Sequence, residues 1–281
     1  MGIIRLRHYL SFRTHEVLRM NKKVILGALA LVVIVAVVLT AGCVDESAEA
    51  DYIVGFEDNG PYCYFDEDGN LVGFDVECMK WIAEEEGYTI TFKNIEWQST
   101  VDALNSGEVD IVCSAMSITD DRAEQMAFTE PYWGDELGIV AKAGSGKSLD
   151  DFYLGNAVIG IQKDSSSDIA LKELFGNEQY NEMLDEGNID NSYTTFAKAM
   201  EALKDGKVDL VIFDTASIAF KIEENPGEFK YVDTLDDSFE AYGVAVKLGN
   251  DELLGKLNDG FTKLMASPDW DELVQKYGLL E

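Results

Sequence analysis

Two residues of opposite charge stand at the ends of similar sequence units. Arg122 closes Ser117-Ile118-Thr119-Asp120-Asp121-Arg122, and Asp214 follows the apolar run 210–213. A guanidinium forks onto a carboxylate through two parallel hydrogen bonds, which lysine cannot imitate. Free backbone N–H groups at a helix start add to such an anion site, and a carboxylate on the opposite wall would receive an ammonium. The pair therefore suits a zwitterion. Each residue also has a plainer reading. Arg122 can pair with Asp120 or Asp121 on the surface, and Asp214 can cap a helix beginning near Thr215. Ser165, Ser166 and Ser167 follow Gln162 at a strand-to-helix turn, where hydroxyls cap the helix or cradle a carboxylate. Asp164 in that turn would oppose an anion, so its side chain is expected to face solvent. Aromatic residues flank these turns: Tyr62, within Pro61-Tyr62-Cys63-Tyr64-Phe65, and Trp97. They are either core or walls of a cleft that offer a face to a cation.

The elements that must position these groups read as alternating short strands and helices, an α/β protein. Strands are expected at 52–56, 88–92, 109–113 and 159–162, with an amphipathic helix at 76–86. The strongest internal signal is a repeat: residues 101–112, VDALNSGEVDIV, return as 200–211, MEALKDGKVDLV. Ala, Leu, Gly, Val, Asp and Val recur in register. Each copy reads as a helix, a glycine able to take the left-handed conformation at its C-terminus, and a core strand. Ligands of such sheets lie beyond the carboxyl ends of the strands. Arg122 and Asp214 thus fall at corresponding mouths of two similar lobes, as do Ala115 and Ser117.

Composition removes several classes of function. Six of the 22 basic residues and one of the 53 acidic ones lie before Cys43, leaving 16 against 52 and a net charge near −36. Phosphate contacts need a basic face, so nucleic-acid binding is excluded. Both histidines, His8 and His15, precede Met20. Ser-His and Cys-His catalysis and histidine-ligated zinc are therefore ruled out downstream. No metal and no cofactor are expected. Cys63, Cys78 and Cys113 show no Cys-x-x-Cys spacing; they are core thiols or, outside the cell, disulfide partners the sequence cannot assign.

The N-terminus reads as an export device. Arg19, Lys22 and Lys23 precede an unbroken apolar run at 24–39, and Asp45 and Glu46 follow it. That order places the start inside and the remainder outside the membrane. The run ends in Leu39-Thr40-Ala41-Gly42-Cys43, which resembles a lipoprotein signal in which Cys43 is acylated. It is longer than a signal core of about 7–15 residues, so an uncleaved membrane helix is the alternative anchor. Met20-Asn21-Lys22-Lys23 reads as a signal opening, which places the start of translation at Met20.

From about residue 51 to 281 the motifs resemble the type II periplasmic amino-acid-binding proteins, solute-binding family 3. The resemblance rests on Gly73-Phe74-Asp75-Val76-Glu77 with Ile82-Ala83, and on Pro61-Tyr62 after the first strand. The Ser117–Arg122 segment with Phe128-Thr129-Glu130-Pro131-Tyr132 is its most specific part, and Gly160-Ile161-Gln162, Ser165-Ser166 and Phe213-Asp214 complete it. It implies a two-lobed type II fold, each lobe a central sheet flanked by helices. Lobe 1 is expected at 51–133 and 242–281 and lobe 2 at 137–237, after a signal segment at 1–42 and a tether at 43–50. The chain would cross between lobes near 133–136 and 238–241.

The resemblance also implies roles. Arg122 should grip the ligand's α-carboxylate with Ser117, Ser165 and the Ser166 amide. Asp214, the Ala115 carbonyl and Ser117 should take the α-ammonium. Tyr62 and Trp97 should enclose the side chain, with Asn59 and Gln162 at its polar rim. Basic-amino-acid binders of the family carry an Asp near the end of the first strand; here Phe56 stands there, with Glu57 and Asp58 following, and the sequence leaves their direction open. Asp164 occupies a position often filled by Gly. The implied function is that of an extracytoplasmic substrate-binding protein of an ABC importer, with a polar or basic amino acid and a membrane permease as partners. A dehydratase acting on prephenate or arogenate, and an extracellular amino-acid sensor, are the alternatives on the same fold.

Overall fold

The computed structural model describes residues 50–279. The signal segment, the acylation expected at Cys43 and most of the tether lie outside the described residues. The chain opens with β1 (Tyr52–Phe56), β2 (Tyr64–Phe65), β3 (Leu71–Val72), α1 (Phe74–Glu86), β4 (Ile90–Asn94), α2 (Thr100–Ser106), β5 (Ile111–Val112), α3 (Asp120–Ala123), β6 (Met126–Phe128) and β7 (Trp133–Asp135). It continues through β8 (Leu137–Lys142), α4 (Leu149–Tyr153), β9 (Ile159–Gln162), α5 (Ser166–Asp185), β10 (Ile189–Tyr193), α6 (Phe196–Asp205), β11 (Leu210–Asp214), α7 (Thr215–Glu224) and β12 (Phe229–Thr234). It ends with β13 (Glu240–Tyr242), β14 (Ala245–Lys247), α8 (Asp251–Met265) and α9 (Pro268–Lys276).

These strands build two five-stranded sheets of the same pattern. One runs β4-β1-β5-β14-β6 and the other β10-β9-β11-β8-β12. In each the first three strands are parallel, and the fourth is antiparallel to both its neighbours. The repeat occupies equivalent places, α2-Gly107-β5 in one sheet and α6-Gly206-β11 in the other. Both glycines are left-handed, φ 78° and 73°, and each donates its N–H to the carbonyls three and four residues back. The aspartate of each copy also does one job. Asp110 Oδ2 accepts from Ile53 N at 2.8 Å, and Asp209 Oδ2 accepts from Val158 N at 2.9 Å, tying each central strand to its parallel neighbour. A Cβ at either glycine would meet nothing within 4 Å, so the penalty of Gly107→Ala or Gly206→Ala is purely conformational. Each should lower stability by about 1 kcal/mol, with similar losses in both lobes, as read by thermal unfolding.

The apolar residues fill one core per lobe side. Val54, Phe74, Ile82, Ile111, Val246, Leu257 and Phe261 pack the first lobe between sheet, α1 and α8. The second sheet is covered on both faces, by Ile139, Ile159, Leu171 and Ile212 on one and Val140, Phe196, Leu203, Val211 and Phe213 on the other. Continuous burial of Leu210–Asp214 follows, as expected for a strand between two layers. Cys63, Cys78 and Cys113 are buried free thiols. The chain passes between the sheets through β7 and β13, which pair antiparallel with Asp135 opposite Glu240 and Trp133 opposite Tyr242. These paired crossings are where a hinge is expected. Among the described residues no helix is long and apolar enough to cross a membrane.

Candidate functional site

Beyond the carboxyl ends of β1, β5, β9 and β11 the two lobes enclose a cavity of about 20 Å³. Its walls hold Asn59, Trp97, Ala115 and Ser117 from the first lobe and Gln162, Ser165, Ser166 and Asp214 from the second, together with Glu57, Ser114 and Phe213. A space that small admits no amino acid while the walls stay in place.

Arg122 does not line this cavity; it bonds the Ser117 carbonyl at its edge and lines a neighbouring open cavity of about 620 Å³ with Trp97, Met116 and Asp164. It is only 9 % exposed, because α3 starts at the sheet's carboxyl edge and its N-cap Thr119 accepts the Arg122 N–H. The guanidinium donates from Nη1 to the Ser117 carbonyl at 2.9 Å and from Nη2 to the Asp164 carbonyl of the other lobe at 3.2 Å. It lies 5.2 Å from the Trp97 ring centroid, a cation–π distance. Burial lowers its pKa, while Glu240, Asp214 and Asp164 act to raise it. Asp120 and Asp121 are not among its partners. The surface-pair reading of Arg122 does not hold.

Asp214 sits at the N-cap of α7, yet its side chain makes no capping bond. Asp135 of β7 caps instead, accepting the Ala216 N–H at 3.0 Å and the Thr215 hydroxyl. The Asp214 carboxyl thus remains available, 5 % exposed. Burial pushes its pKa well above the carboxylate range, Glu240 and Asp135 push it further, and Tyr242 and Arg122 pull the other way. Ser165 does cap: it accepts the Asp168 N–H at 3.4 Å and donates to the Gln162 carbonyl at 2.8 Å. Asp164 takes the left-handed region, φ 58°, which aspartate tolerates better than most residues. Its side chain is exposed, and its carbonyl receives both Arg122 and the Trp97 indole, the latter at 2.9 Å.

Tyr62 differs from the expectation. It is fully buried in the first lobe's core, edge-on to Tyr242 at 5.6 Å, and donates its hydroxyl to Asp135 at 3.3 Å. It contacts β7 and does not line the cavity. Ring size and the cis Gly60–Pro61 turn before it are not signals of direction, so the motif alone could not reveal this.

Two carboxylates to which the sequence assigned no role stand at the cleft, Glu57 in its lining and Glu240 beside it on Ser117. β1 ends at buried Phe56, and strand alternation turns Glu57 onto the mouth. Gln162 Nε2 donates to both its oxygens at 2.9 Å across the lobes. Burial raises its pKa to about 7, with Asp58 adding to the rise and Gln162 and Lys198 opposing it. Glu240, on the returning hinge strand, accepts the Ser117 hydroxyl at 2.7 Å. Burial raises its pKa, against the hydroxyls of Ser117 and Ser166 and the charge of Arg122. The order Phe56-Glu57 marked the first; only the register of β13 against β7 identifies the second. Asn59 adds an acceptor: its Oδ1 is buried without a partner among the described residues.

An arginine, several acidic groups and unpaired acceptors around a cleft between two lobes are features that suit a small-molecule receptor. A model of bacterial extracellular solute-binding proteins, family 3, matches residues 52–280. The chain belongs to this family. Among its relatives, a probable histidine-binding protein of Neisseria gonorrhoeae is 33 % identical over 219 residues, covering 77 % of this chain and 78 % of the relative. The arginine-binding extracellular protein ArtP of Bacillus subtilis (strain 168) is 31 % identical over 241 residues, covering 83 % and 88 %. The solved structure of an ancestral arginine-binding protein bound to arginine is 34 % identical with a TM-score of 0.71, covering 80 % of this chain and 97 % of that one. The family-3 chain described here thus has the α/β, two-lobed fold that its sequence implied.

Proposed function

We propose that this family-3 protein is the extracytoplasmic receptor of an ABC importer and that its ligand is an amino acid with a cationic side chain. Lobe 1 comprises 51–133 and 242–281, lobe 2 comprises 137–237, and the ligand bridges them on closure. Arg122, with Ser117, Ser165 and the Ser166 amide, receives the α-carboxylate. Asp214, with the Ala115 carbonyl and Ser117, receives the α-ammonium. Trp97, Asn59 and Gln162 surround the side chain. Tyr62 acts through the hinge. The N-terminal segment tethers the protein to the outer face of the membrane, through acylated Cys43 or an uncleaved helix, beside the permease.

The observation that carries the choice of ligand is Glu57. It lines the cavity with Asn59, whose Oδ1 is unpartnered among the described residues, so the two present acceptors to a donor-only group. Burial holds Glu57, Asp214 and Glu240 toward their neutral forms, and a neutral zwitterion brings no net charge to favour their ionisation. A guanidinium, ammonium or imidazolium supplies that charge. The arginine and histidine named for the relatives support the same reading.

Calorimetric titration with L-arginine, L-lysine, L-histidine, L-glutamine and L-glutamate tests it. One of the three cationic amino acids should bind tightest and glutamate weakest. Tighter binding of glutamine or glutamate would overturn the ligand class, and turnover of prephenate by the same sample would replace transport with dehydration.

A further inference from the structure

Ala115 contributes to the proposed site through its backbone, so what holds that backbone matters. Its φ is 46°, a region alanine seldom occupies. Its carbonyl accepts no hydrogen bond from any described residue. The stabilising contact comes from Asp75, the second residue of α1, whose Oδ2 accepts the Ala115 N–H at 2.7 Å. The other oxygen, Oδ1, accepts the Tyr132 hydroxyl at 2.8 Å. Tyr132 N–H in turn donates to the Tyr242 carbonyl at 3.0 Å, at the root of the hinge strands. Asp75 is fully buried and takes part in no ion pair among the described residues. Its other neighbours include Tyr62 and the Cys63, Cys78 and Cys113 thiols. A carboxylate without a counter-ion is an expensive group to bury. A neutral side chain could fill the same space more cheaply. What the carboxylate adds is two strong acceptors that join three segments: α1, the loop after β5, and the loop between β6 and β7.

We propose that Asp75 is a positioning residue for recognition of the ligand's α-ammonium: it fixes Ala115 in the left-handed conformation and, through Tyr132, couples that loop to the hinge. The inference rests on the reading that the Ala115 carbonyl faces the ammonium.

The test compares L-arginine with its des-amino analogue, 5-guanidinopentanoate, on the full chain. Wild type should bind arginine much more tightly than the analogue. Asp75→Ala should weaken arginine by at least about tenfold, the worth of a strong hydrogen bond, and the analogue by no more than about twofold. Asp75→Asn should restore most of the loss, since its amide oxygen can still accept the Ala115 N–H. Equal losses for both ligands, or unchanged affinity for arginine, would refute the assignment, because a merely structural role lowers the unfolding temperature without singling out the ammonium. Should Asp75→Ala fail to fold, Tyr132→Phe carries the same comparison with a smaller selective loss. A wild type indifferent to the amino group would instead overturn the Ala115 contact itself, and this inference with it. If glutamine binds and arginine does not, the ligand class falls while glutamine and 4-carbamoylbutanoate decide the role of Asp75.

Discussion

Arg122→Ala is expected to remove tight amino-acid binding while leaving the fold intact. Truncating one partner of a buried, hydrogen-bonded charge pair costs about 2–5 kcal/mol, which weakens affinity by about thirtyfold to several thousandfold. The loss should appear mainly as faster dissociation. Arg122 is the positive charge that acts on Asp214 and Glu240, so its removal leaves those acids without it and, in the proposed site, leaves the ligand's carboxylate without a donor fork. Arg122→Lys should rescue little, because an ammonium cannot reproduce two parallel bonds. The variant also loses the bond from Nη2 to the Asp164 carbonyl, one of the links that hold the lobes together. Titration calorimetry and thermal unfolding on the same sample separate the effects: affinity should collapse and the unfolding temperature change little. Wild-type affinity in Arg122→Ala would remove the guanidinium from the site.

The parts of this protein that could be read from sequence are those set by local pattern. The repeated helix-Gly-strand unit carries its own cap and its own strand-tying aspartate. Asp110 and Asp209 form equivalent bonds in the two lobes, so the similarity in sequence became similarity in structure. Arg122 and Asp214 could be placed because each follows a buried strand at the edge where ligands collect. What could not be read depends on contacts between distant segments. Tyr62 turns toward the hinge because Asp135, 73 residues later, accepts its hydroxyl. Glu240 reaches Ser117 because β13 pairs with β7 in a register the sequence does not display. Asp75 belongs to the motif that signals the family, yet its contact with Ala115 spans 40 positions. The direction of Glu57 is an intermediate case: alternation along β1 points it toward the mouth, but only Gln162 across the cleft holds it there.

Glu57→Gln should move affinity and stability in opposite directions. In the ligand-free protein the Glu57 carboxyl is pushed up to about 7, above an ordinary value near 4.3–4.5. The folded state then keeps a proton that the unfolded state gives up. Stability therefore falls as pH rises from about 4.5 to about 7 and levels off above, by roughly 3 kcal/mol at most. Glutamine carries no such charge, so the variant should unfold at a higher temperature than wild type at pH 8, with the difference vanishing near pH 4.5. Binding runs the other way. A cationic side chain favours the ionised carboxylate, so wild-type affinity for arginine should rise with pH toward about 7, with protons released on binding below it. The variant should bind arginine about ten- to a hundredfold more weakly at pH 8, the worth of a hydrogen bond to a charged group, and lose this pH slope. Asp214 and Glu240 also titrate upward, but both proteins carry them, so the comparison isolates Glu57. Unchanged arginine affinity with an unchanged slope would mean that the carboxylate does not face the ligand. A stabilised protein that has lost its cationic ligand would mean that Glu57 is retained for recognition at the expense of the fold.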